Sequence, residues 1–180
     1  GLVSAEVELM MLLEDYERKM QQYEKLMALI ESLALEIPGF DKLLGIKGIG
    51  LITAAGFVAE IGDVSRFSHP KQIQKLAGLN LKENSSGQHK GKTTVSKRGR
   101  PSLRQLMYQI ALVSVARNPE MKNFYRYLTT RQENPLAGKQ ALIAVAVKMI
   151  KVMLAVCKRR EYYDGSKVGK GHRDARLQVA

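Results

Sequence analysis

The apolar residues of the N-terminal segment recur at alternating spacings of three and four. This is an a/d heptad pattern over residues 13–37, formed by Leu13, Tyr16, Met20, Tyr23, Met27, Ile30, Ala34 and Ile37. Such a period is helical and cannot be a strand, and Pro38 with Gly39 ends it. We expect residues 1–37 to form a coiled-coil helix that joins two copies of the chain through residues 13–37. The alternative is an amphipathic helix that packs on its own domain.

The charge of the chain changes sign after this segment. Residues 1–40 carry eight acids and three bases, a net of −5, whereas residues 41–100 carry four acids and eleven bases, a net of +7. Residues 101–180 add five acids and fifteen bases, so the whole chain has a net charge of +12. A basic body suits a polyanion, because each Lys or Arg set against a phosphate releases counterions. We expect nucleic acid as the partner, although a merely soluble basic surface has the same composition.

Composition excludes several other classes of protein. Hydrophobic residues make up 45% of the chain, which is enough for a core and excludes wholesale disorder. No run approaches the ~18–20 consecutive apolar residues of a membrane span, so we expect no membrane partner. The single Cys157 allows neither an internal disulfide nor a multi-cysteine zinc site, and cytoplasm is the expected compartment. Because Gly1 lies within a helical pattern, we expect the chain to be a fragment.

Residues 40–58 have the pattern of a helix-hairpin-helix motif. A short apolar helix is followed by a Gly-x-Gly turn, and a helix of small residues leaves it. Glycine at positions 48 and 50 permits close backbone approach, and the amides that begin the second helix form an anion site. We therefore expect Lys47, Gly48 and Gly50 to contact a nucleic-acid phosphate, the alternative being a tight turn without a ligand.

The rest of the body also has the pattern of helices. Four helix starts are predicted, from Ser68 with Pro70, from Pro101, from Asn118-Pro119 and from Asn134-Pro135. They predict helices over residues 69–77, 101 to about 117, 119 to about 131 and 135 to about 160. No alternating strand pattern is evident. The predicted fold is all-α, with the helix 1–37, a compact helical domain at 38–160 and a flexible basic tail at 161–180.

Residues 80–100 lack periodicity and predict a loop. Glycines and hydroxyl residues alternate there with six bases, Lys82, Lys90, Lys92, Lys97, Arg98 and Arg100, and Arg104 follows on the next helix. Cations and hydroxyls are the groups that contact phosphates, and glycine permits close backbone approach. The loop is therefore the main candidate for binding DNA or RNA.

Several short blocks occur together and in order along the chain. They are LGIKGIG at 44–50, AEIGD at 59–63 with RF at 66–67, LAGL at 76–79, SG at 86–87, SKRG at 96–99 and LR at 103–104. The combination resembles the C-terminal domain of the IS116/IS110/IS902-type insertion-sequence transposases, over roughly residues 38–160. Members of that family carry an N-terminal RuvC-like domain with four acidic metal ligands, then a coiled coil, then this domain.

The resemblance implies a function for the chain. It implies a DNA recombinase of the bacterial or archaeal cytoplasm, associated with the nucleoid and assisted by a structured guide RNA, which cuts and rejoins DNA with a serine nucleophile. Ser86 best matches the family's Ser-Gly motif, and the neighbouring Ser85 is the alternative. The expected Mg²⁺ belongs to the RuvC-like domain, so this fragment alone is expected to be inactive and to hold no cofactor.

Other residues of the chain leave alternatives open. A serine hydroxyl needs a base or a metal to activate it, and His89 is a candidate base, although a lone loop histidine is more often unrelated to catalysis. We expect no metal site in this fragment, and interpret Glu60 and Asp63 as helix-end charges or as partners of Arg66. The alternative functions are a non-catalytic helix-hairpin-helix module that binds DNA, and a dimerisation scaffold whose basic charge is incidental.

Overall fold

The computed structural model describes the backbone of residues 1–82, 85–86, 89–90 and 94–167, and the side chains of the same residues except 85, 86, 89 and 90. The chain divides into two compact units, the first of residues 1–37 and the second beginning at Pro38.

The first unit is one long helix, α1, at Leu2–Leu35. It begins eleven residues before the heptad pattern, because residues 2–12 also contain neither glycine nor proline. The Ile37 amide donates to the Ala34 carbonyl at 3.0 Å and closes the last turn. The heptad side chains Leu13, Tyr16 and Tyr23 are at least half exposed.

The second unit contains six further α-helices in its described part, and the all-α prediction is confirmed. They are α2 (Phe40–Leu44), α3 (Leu51–Ile61), α4 (Pro70–Leu76), α5 (Pro101–Arg117), α6 (Pro119–Thr130) and α7 (Gly138–Arg159). Two short 3₁₀ turns lie at Val64–Arg66 and Gly165–Lys167.

Helix α7 is the centre of this unit. It packs against α2, α4, α5 and α6, and its buried side chains are Ala141, Leu142, Val145, Ala146, Met149, Ile150, Met153, Leu154, Val156 and Cys157. By length and composition α7 could cross a membrane, but half of its most apolar window is buried inside the unit. Packing within the unit therefore accounts for its apolar character.

Prolines and capping side chains set the helix starts. Pro101 occupies the first turn of α5, as predicted. The Asn118 carboxamide oxygen accepts from the amides of Glu120 and Met121, at 3.1 and 3.2 Å, and caps α6. At α4 the cap is His69 rather than Ser68, since the His69 ring nitrogen Nδ1 accepts from the Lys71 amide at 3.1 Å.

The predicted start of α7 at Asn134-Pro135 is wrong by three residues. Asn134 adopts a left-handed conformation with φ +50°, which ends the preceding turn instead of starting a helix. The Leu136 amide donates to the Leu128 carbonyl at 2.8 Å and holds the connection against α6. Helix α7 then begins at Gly138, where the Gln140 side chain accepts from the Ala137 amide at 3.1 Å.

Two short antiparallel ladders lie inside the segment predicted as a loop. Strand β1 (Leu81–Lys82) pairs with β4 (Thr94–Val95), and β2 (Ser85–Ser86) pairs with β3 (His89–Lys90). A strand of two residues is too short to show an alternating pattern, so no periodicity marks these strands in the sequence.

Candidate nucleic-acid interface

The basic segment is closed at its base by hydrogen bonds between two stretches of backbone. The Ser96 amide donates to the Asn80 carbonyl at 2.7 Å, and the Lys97 amide donates to the Gly78 carbonyl at 3.0 Å. At the end of α4, the Leu76 carbonyl accepts from the Arg100 amide at 2.7 Å. Residues 76–80 and 96–100 therefore form a hydrogen-bonded pair of backbone stretches, called the neck here. Residues 81–95 connect the two stretches.

Two glycines allow the two stretches of this neck to approach each other. Gly78 is buried and has φ +67°, and a Cβ atom there would lie 2.9 Å from the carbonyl carbon and oxygen of Arg98. Gly99 has φ +153°, and a Cβ atom there would overlap the Leu76 carbonyl oxygen. Both positions require glycine, because an L side chain would be strained and would meet backbone atoms.

Two arginines predicted to bind phosphates make protein contacts in the neck. The Arg104 guanidinium donates to the carbonyl oxygens of Ala77 and Lys97, at 3.3 and 3.1 Å. The Arg100 guanidinium donates to the Glu60 carbonyl and lies 3.6 Å from the Glu60 carboxylate. These side chains fasten the neck to the ends of α3 and α4.

The two acids near the end of α3 have separate roles. Glu60 pairs with Arg100 and forms no ion pair with Arg66. Asp63 accepts from the Ser65 hydroxyl at 2.6 Å and from its amide at 2.8 Å, and these two bonds hold the pKa of Asp63 below its ordinary value, with a smaller contribution from the charge of Arg66. The predicted partnership with Arg66 is therefore wrong for Glu60 alone. Among the described residues there is no cluster of three potential metal ligands.

Lys97 and Arg98 are exposed cations of the neck. Lys97 adopts φ +55°, a left-handed conformation that is uncommon outside glycine. Its own carbonyl accepts from Arg104, and this contact holds the backbone in that conformation. The neck thus presents two cations to solvent on a constrained turn.

The predicted nucleophile lies on the ladder beyond the neck. The backbone register pairs Ser86 with His89 and Ser85 with Lys90. The side chains of these four residues are outside the described part of the structure, and so is the whole of Lys92. The tail beyond residue 167 lies outside it as well.

The Gly-x-Gly turn lies at the other end of α5 from the neck. Gly48 has φ +96°, and a Cβ atom there would lie 3.4 Å from the backbone of Ser114, whereas Arg100 immediately precedes the first turn of α5. Fourteen residues of helix separate these two points, about 21 Å at 1.5 Å per residue. The structure therefore does not bring the two predicted phosphate-binding regions together.

The anion site predicted at the start of α3 is partly filled by the protein itself. The Gly50 amide donates to the Thr53 hydroxyl oxygen at 2.9 Å, so this amide is not available to a ligand. Lys47 is exposed beside the turn. The amides of residues 51–53 remain without helical carbonyl partners, as at every helix start.

The last helix and the residues after it are basic in the sequence, but a site there was not predicted. A cleft of about 190 Å³ lies between the C-terminal half of α7 and residues 161–167. Its lining includes four cations, two acids and two tyrosines, namely Lys148, Lys151, Arg159, Lys167, Glu161, Asp164, Tyr162 and Tyr163. The signal was available in the spacing of Lys148, Lys151 and Arg159, which share one face of a helix otherwise interpreted only as core.

Comparison with known proteins identifies relatives of this chain. Residues 40–126, from the start of α2 into α6, match the model of the Transposase IS116/IS110/IS902 family. The matched segment includes the turn, the neck and Arg104, and it is shorter than the range of residues 38–160 over which the resemblance was expected.

Two curated proteins are similar to it. One is "Transposase for insertion sequence element IS1111A" of Coxiella burnetii (strain RSA 493 / Nine Mile phase I), 28% identical over 124 residues that cover 68% of this chain and 34% of that protein. The other is "Putative transposase y4qE" of Sinorhizobium fredii (strain NBRC 101917 / NGR234), 33% identical over 69 residues that cover 38% of this chain and 18% of that protein. The matches thus span about a third or less of the length of these relatives.

Proposed function

Because residues 40–126 match the model of the IS116/IS110/IS902 family of transposases, we propose that the chain is the C-terminal, serine-bearing part of a transposase that cuts and rejoins DNA. The observation that carries this proposal is the coincidence of the family match with the closed neck. The matched segment contains a serine pair on a short ladder, and the neck at residues 76–80 and 96–100, from which that stretch of chain extends, is closed by hydrogen bonds and carries exposed cations. The proposed substrate is DNA. The proposed compartment is the cytoplasm, and no binding to a membrane is proposed.

The proposed chemical step is a transesterification. The Ser86 hydroxyl oxygen attacks the phosphorus of a DNA phosphodiester, and the bond from phosphorus to one deoxyribose oxygen breaks. The serine proton passes to a base, the departing deoxyribose oxygen takes up a proton, and one DNA end stays bound to the serine through its phosphate. Attack by a hydroxyl of another DNA end reverses the step and joins the strands. No oxidant or reductant is consumed.

The cations of the neck have different parts in this proposal. Negative charge develops on the phosphate oxygens during attack and is stabilised by preorganised cations. Lys97 and Arg98 are exposed and are the proposed phosphate contacts, with Lys90 and Lys92 as further candidates. Arg100 and Arg104 are positioning residues, since their guanidinium groups hold the backbone that presents the other cations.

The activity is proposed to need further components. We propose that the reaction also uses a catalytic Mg²⁺, and no group of three acids, histidines or cysteines is found among the described residues. By the family resemblance, that metal belongs to a RuvC-like domain N-terminal to α1, and a structured guide RNA selects the DNA. We propose that residues 1–180 alone are inactive in strand exchange.

Dimerisation through α1 is the second part of the proposal. Helix α1 has 34 residues and is about 51 Å long at 1.5 Å per residue. The heptad residues of its first two thirds are exposed, namely Leu13, Tyr16, Met20 and Tyr23, whereas Met27 and Ile30 are partly buried and Ala34 is buried. A row of apolar a and d side chains in water is stabilised by packing against the same row of a second helix. Two copies of the chain would then place two serine segments on one DNA substrate.

The test of the serine proposal uses matched variants of the two neighbouring serines. In the transposase that contains this chain together with its RuvC-like domain, we expect Ser86→Ala to abolish strand exchange, because no other oxygen takes the place of the nucleophile. Ser85→Ala is the control and keeps exchange within a few-fold of the unsubstituted protein. Nucleic-acid binding, measured by fluorescence anisotropy, is retained in both.

Other results would change either the assignment of the nucleophile or the proposed function. Loss of exchange in Ser85→Ala alone would move the nucleophile by one residue. Full exchange in both variants would overturn serine catalysis and favour a non-catalytic DNA-binding module. A salt-independent affinity would favour the dimerisation scaffold, since phosphate contacts make log K fall with log salt.

A further inference from the structure

The cleft along α7 is a basic site that the serine mechanism does not use. Lys148, Lys151 and Arg159 line it at spacings of three and eight residues, which place them on one face of the helix. With Lys167 they bring four cations to the cleft against two acids, a net of +2. Helix α7 lies beyond the segment that matches the family model, so that match assigns this surface no role.

The cations of α7 in this cleft lack acidic partners in the described part of the structure. No carboxylate oxygen of a described residue lies within 4.0 Å of the side-chain nitrogens of Lys148, Lys151 or Arg159. Neither of the two acids in the lining pairs with these three cations. Asp164 accepts from the Ser166 amide and lies 3.8 Å from Lys167, and Glu161 is exposed.

Lys148 is partly withdrawn from water. Its ammonium group lies 6.0 Å from the centre of the Phe124 ring, and burial, with a smaller contribution from Lys151, lowers the pKa of Lys148. A partly desolvated ammonium group without a carboxylate partner is costly in free energy. A bound anion would offset that cost and would also relieve the repulsion between the two lysines.

The cleft adjoins the Gly-x-Gly end of the unit. Tyr162 lines it, and the Lys42 ammonium lies 4.0 Å from the centre of the Tyr162 ring. A Cβ atom on Gly45, the residue that ends α2, would lie 3.2 Å from that same ring. The cleft therefore joins the hairpin region at the end of α5 opposite the neck.

The size and shape of the cleft match an extended anion. Its volume of about 190 Å³ is below the ~300–1,000 Å³ typical of pockets for drug-sized ligands. Lys148 and Arg159 are eleven residues apart, about 16 Å along the helix axis, which is the length of several phosphates at ~3.4 Å per nucleotide of a duplex strand. A small shallow cleft with cations spread over that length fits a chain of phosphates better than a single small molecule.

We propose that the α7 cleft, with the adjoining hairpin turn, binds the phosphodiester backbone of a nucleic acid at a second site, separate from the serine segment. The proposal rests on the nucleic-acid-binding part of the proposed function and does not need the serine chemistry. The phosphates belong either to the DNA substrate or to an RNA, and the experiment distinguishes these two sources.

The test compares two double substitutions in the full 180-residue chain. Lys148→Gln with Lys151→Gln removes two charges from the cleft, and Lys122→Gln with Lys139→Gln removes two charges from exposed positions outside its lining. Affinity for a duplex DNA and for a structured RNA of equal length is measured by anisotropy at several salt concentrations. Thermal unfolding establishes that each variant is folded.

We expect the cleft variant to weaken binding and to reduce the slope of log K against log salt. Two lost phosphate contacts correspond to a slope reduction of about 1.8 on duplex DNA, or about 1.4 on a single-stranded region. The control pair changes the slope by less than about 0.5. The nucleic acid that shows the loss, DNA, RNA or both, identifies the source of the phosphates.

Two results would overturn the proposal. Equal losses in the cleft and control variants would mean that bulk charge alone matters, and no loss in the cleft variant would mean that the cleft binds no phosphates. If the double variant Lys148→Gln, Lys151→Gln does not fold, the single variant Lys151→Glu is tested for the same loss of affinity. Lys151 is exposed on the helix surface, so this substitution should be tolerated. Ser86 is intact in every variant, so failure here leaves the serine proposal standing.

Discussion

At two positions of the neck, close packing of the backbone requires glycine. Gly78 and Gly99 bring residues 76–80 and 96–100 so close together that a methyl group at either position would meet backbone atoms. Gly50, which also lies in a family-like block, has φ −104° and open space around its Cβ position. Glycine is therefore required by packing in the neck and not at Gly50.

Gly78→Ala should destabilise the second unit by about 2–3 kcal/mol. The substitution places a side chain at φ +67°, which costs about 1–2 kcal/mol, and adds a contact at 2.9 Å with the backbone of Arg98. Gly50→Ala is the control and should cost less than about 1 kcal/mol. Urea denaturation measures both free energies of unfolding, and equal costs would contradict the close packing of the neck.

Cys157 should react slowly in the folded chain. Burial raises the pKa of this thiol from an ordinary value of 9.0 to about 11, so the thiolate fraction at pH 8 falls about 100-fold. Alkylation by iodoacetamide at pH 8, followed by mass spectrometry, should be at least that much slower in buffer than in urea. Similar rates in the two conditions would show that the end of α7 is open.

The same thiol gives the pH dependence of stability a definite sign. Because the folded state holds the proton of Cys157 more tightly than the unfolded state does, the neutral thiol's contribution to the free energy of unfolding is complete below about pH 9. It is lost as pH rises from 9 toward 11.

Among the elements, helices with strong end signals were predictable from the sequence. Pro101 and the Asn118-Pro119 pair place the starts of α5 and α6, because proline and a capping side chain act locally. The start of α7 was not predictable, since Asn134 is a left-handed residue of the connection and not a cap. The two-residue ladders were not predictable either, as they depend on pairing between separate stretches of backbone.

Helix α1 provides a test of dimerisation with two substitutions of the same kind. Met20 lies at an a position of the heptad pattern, whereas Met11 lies at an f position, and both are exposed in the single chain. We expect Met20→Glu to shift the chain to a monomer, because it places two charges in the proposed seam. Met11→Glu should leave the dimer intact.

Sedimentation equilibrium measures the outcome for both α1 variants. A dimer that persists in Met20→Glu, or an unsubstituted chain that is monomeric at micromolar concentration, would contradict pairing through residues 13–37. Dissociation by both variants would indicate a surface wider than the heptad seam.

Across the molecule, the all-α fold and the similarity to the transposase family were predictable from the sequence, but the arrangement of the basic regions was not. The turn at Gly48 and the neck at Arg100 lie about 21 Å apart along α5, and the cleft beside α7 lies near the turn. Which cations reach solvent is decided by tertiary contacts. Arg104 and Lys97 look alike in the sequence, yet one is committed to backbone carbonyls and the other is exposed.

The proposed function requires a serine of this chain to form a covalent bond with DNA, and that bond can be located by mass spectrometry. The transposase containing this chain and its RuvC-like domain is incubated with its DNA substrate, denatured and digested, and the peptides that carry nucleotide phosphate are sequenced. We expect a phosphate ester on Ser86, absent from Ser86→Ala and present in Ser85→Ala. An adduct on any residue outside the 85–86 pair, or strand exchange without an adduct, would show that the serine pair is not the nucleophile.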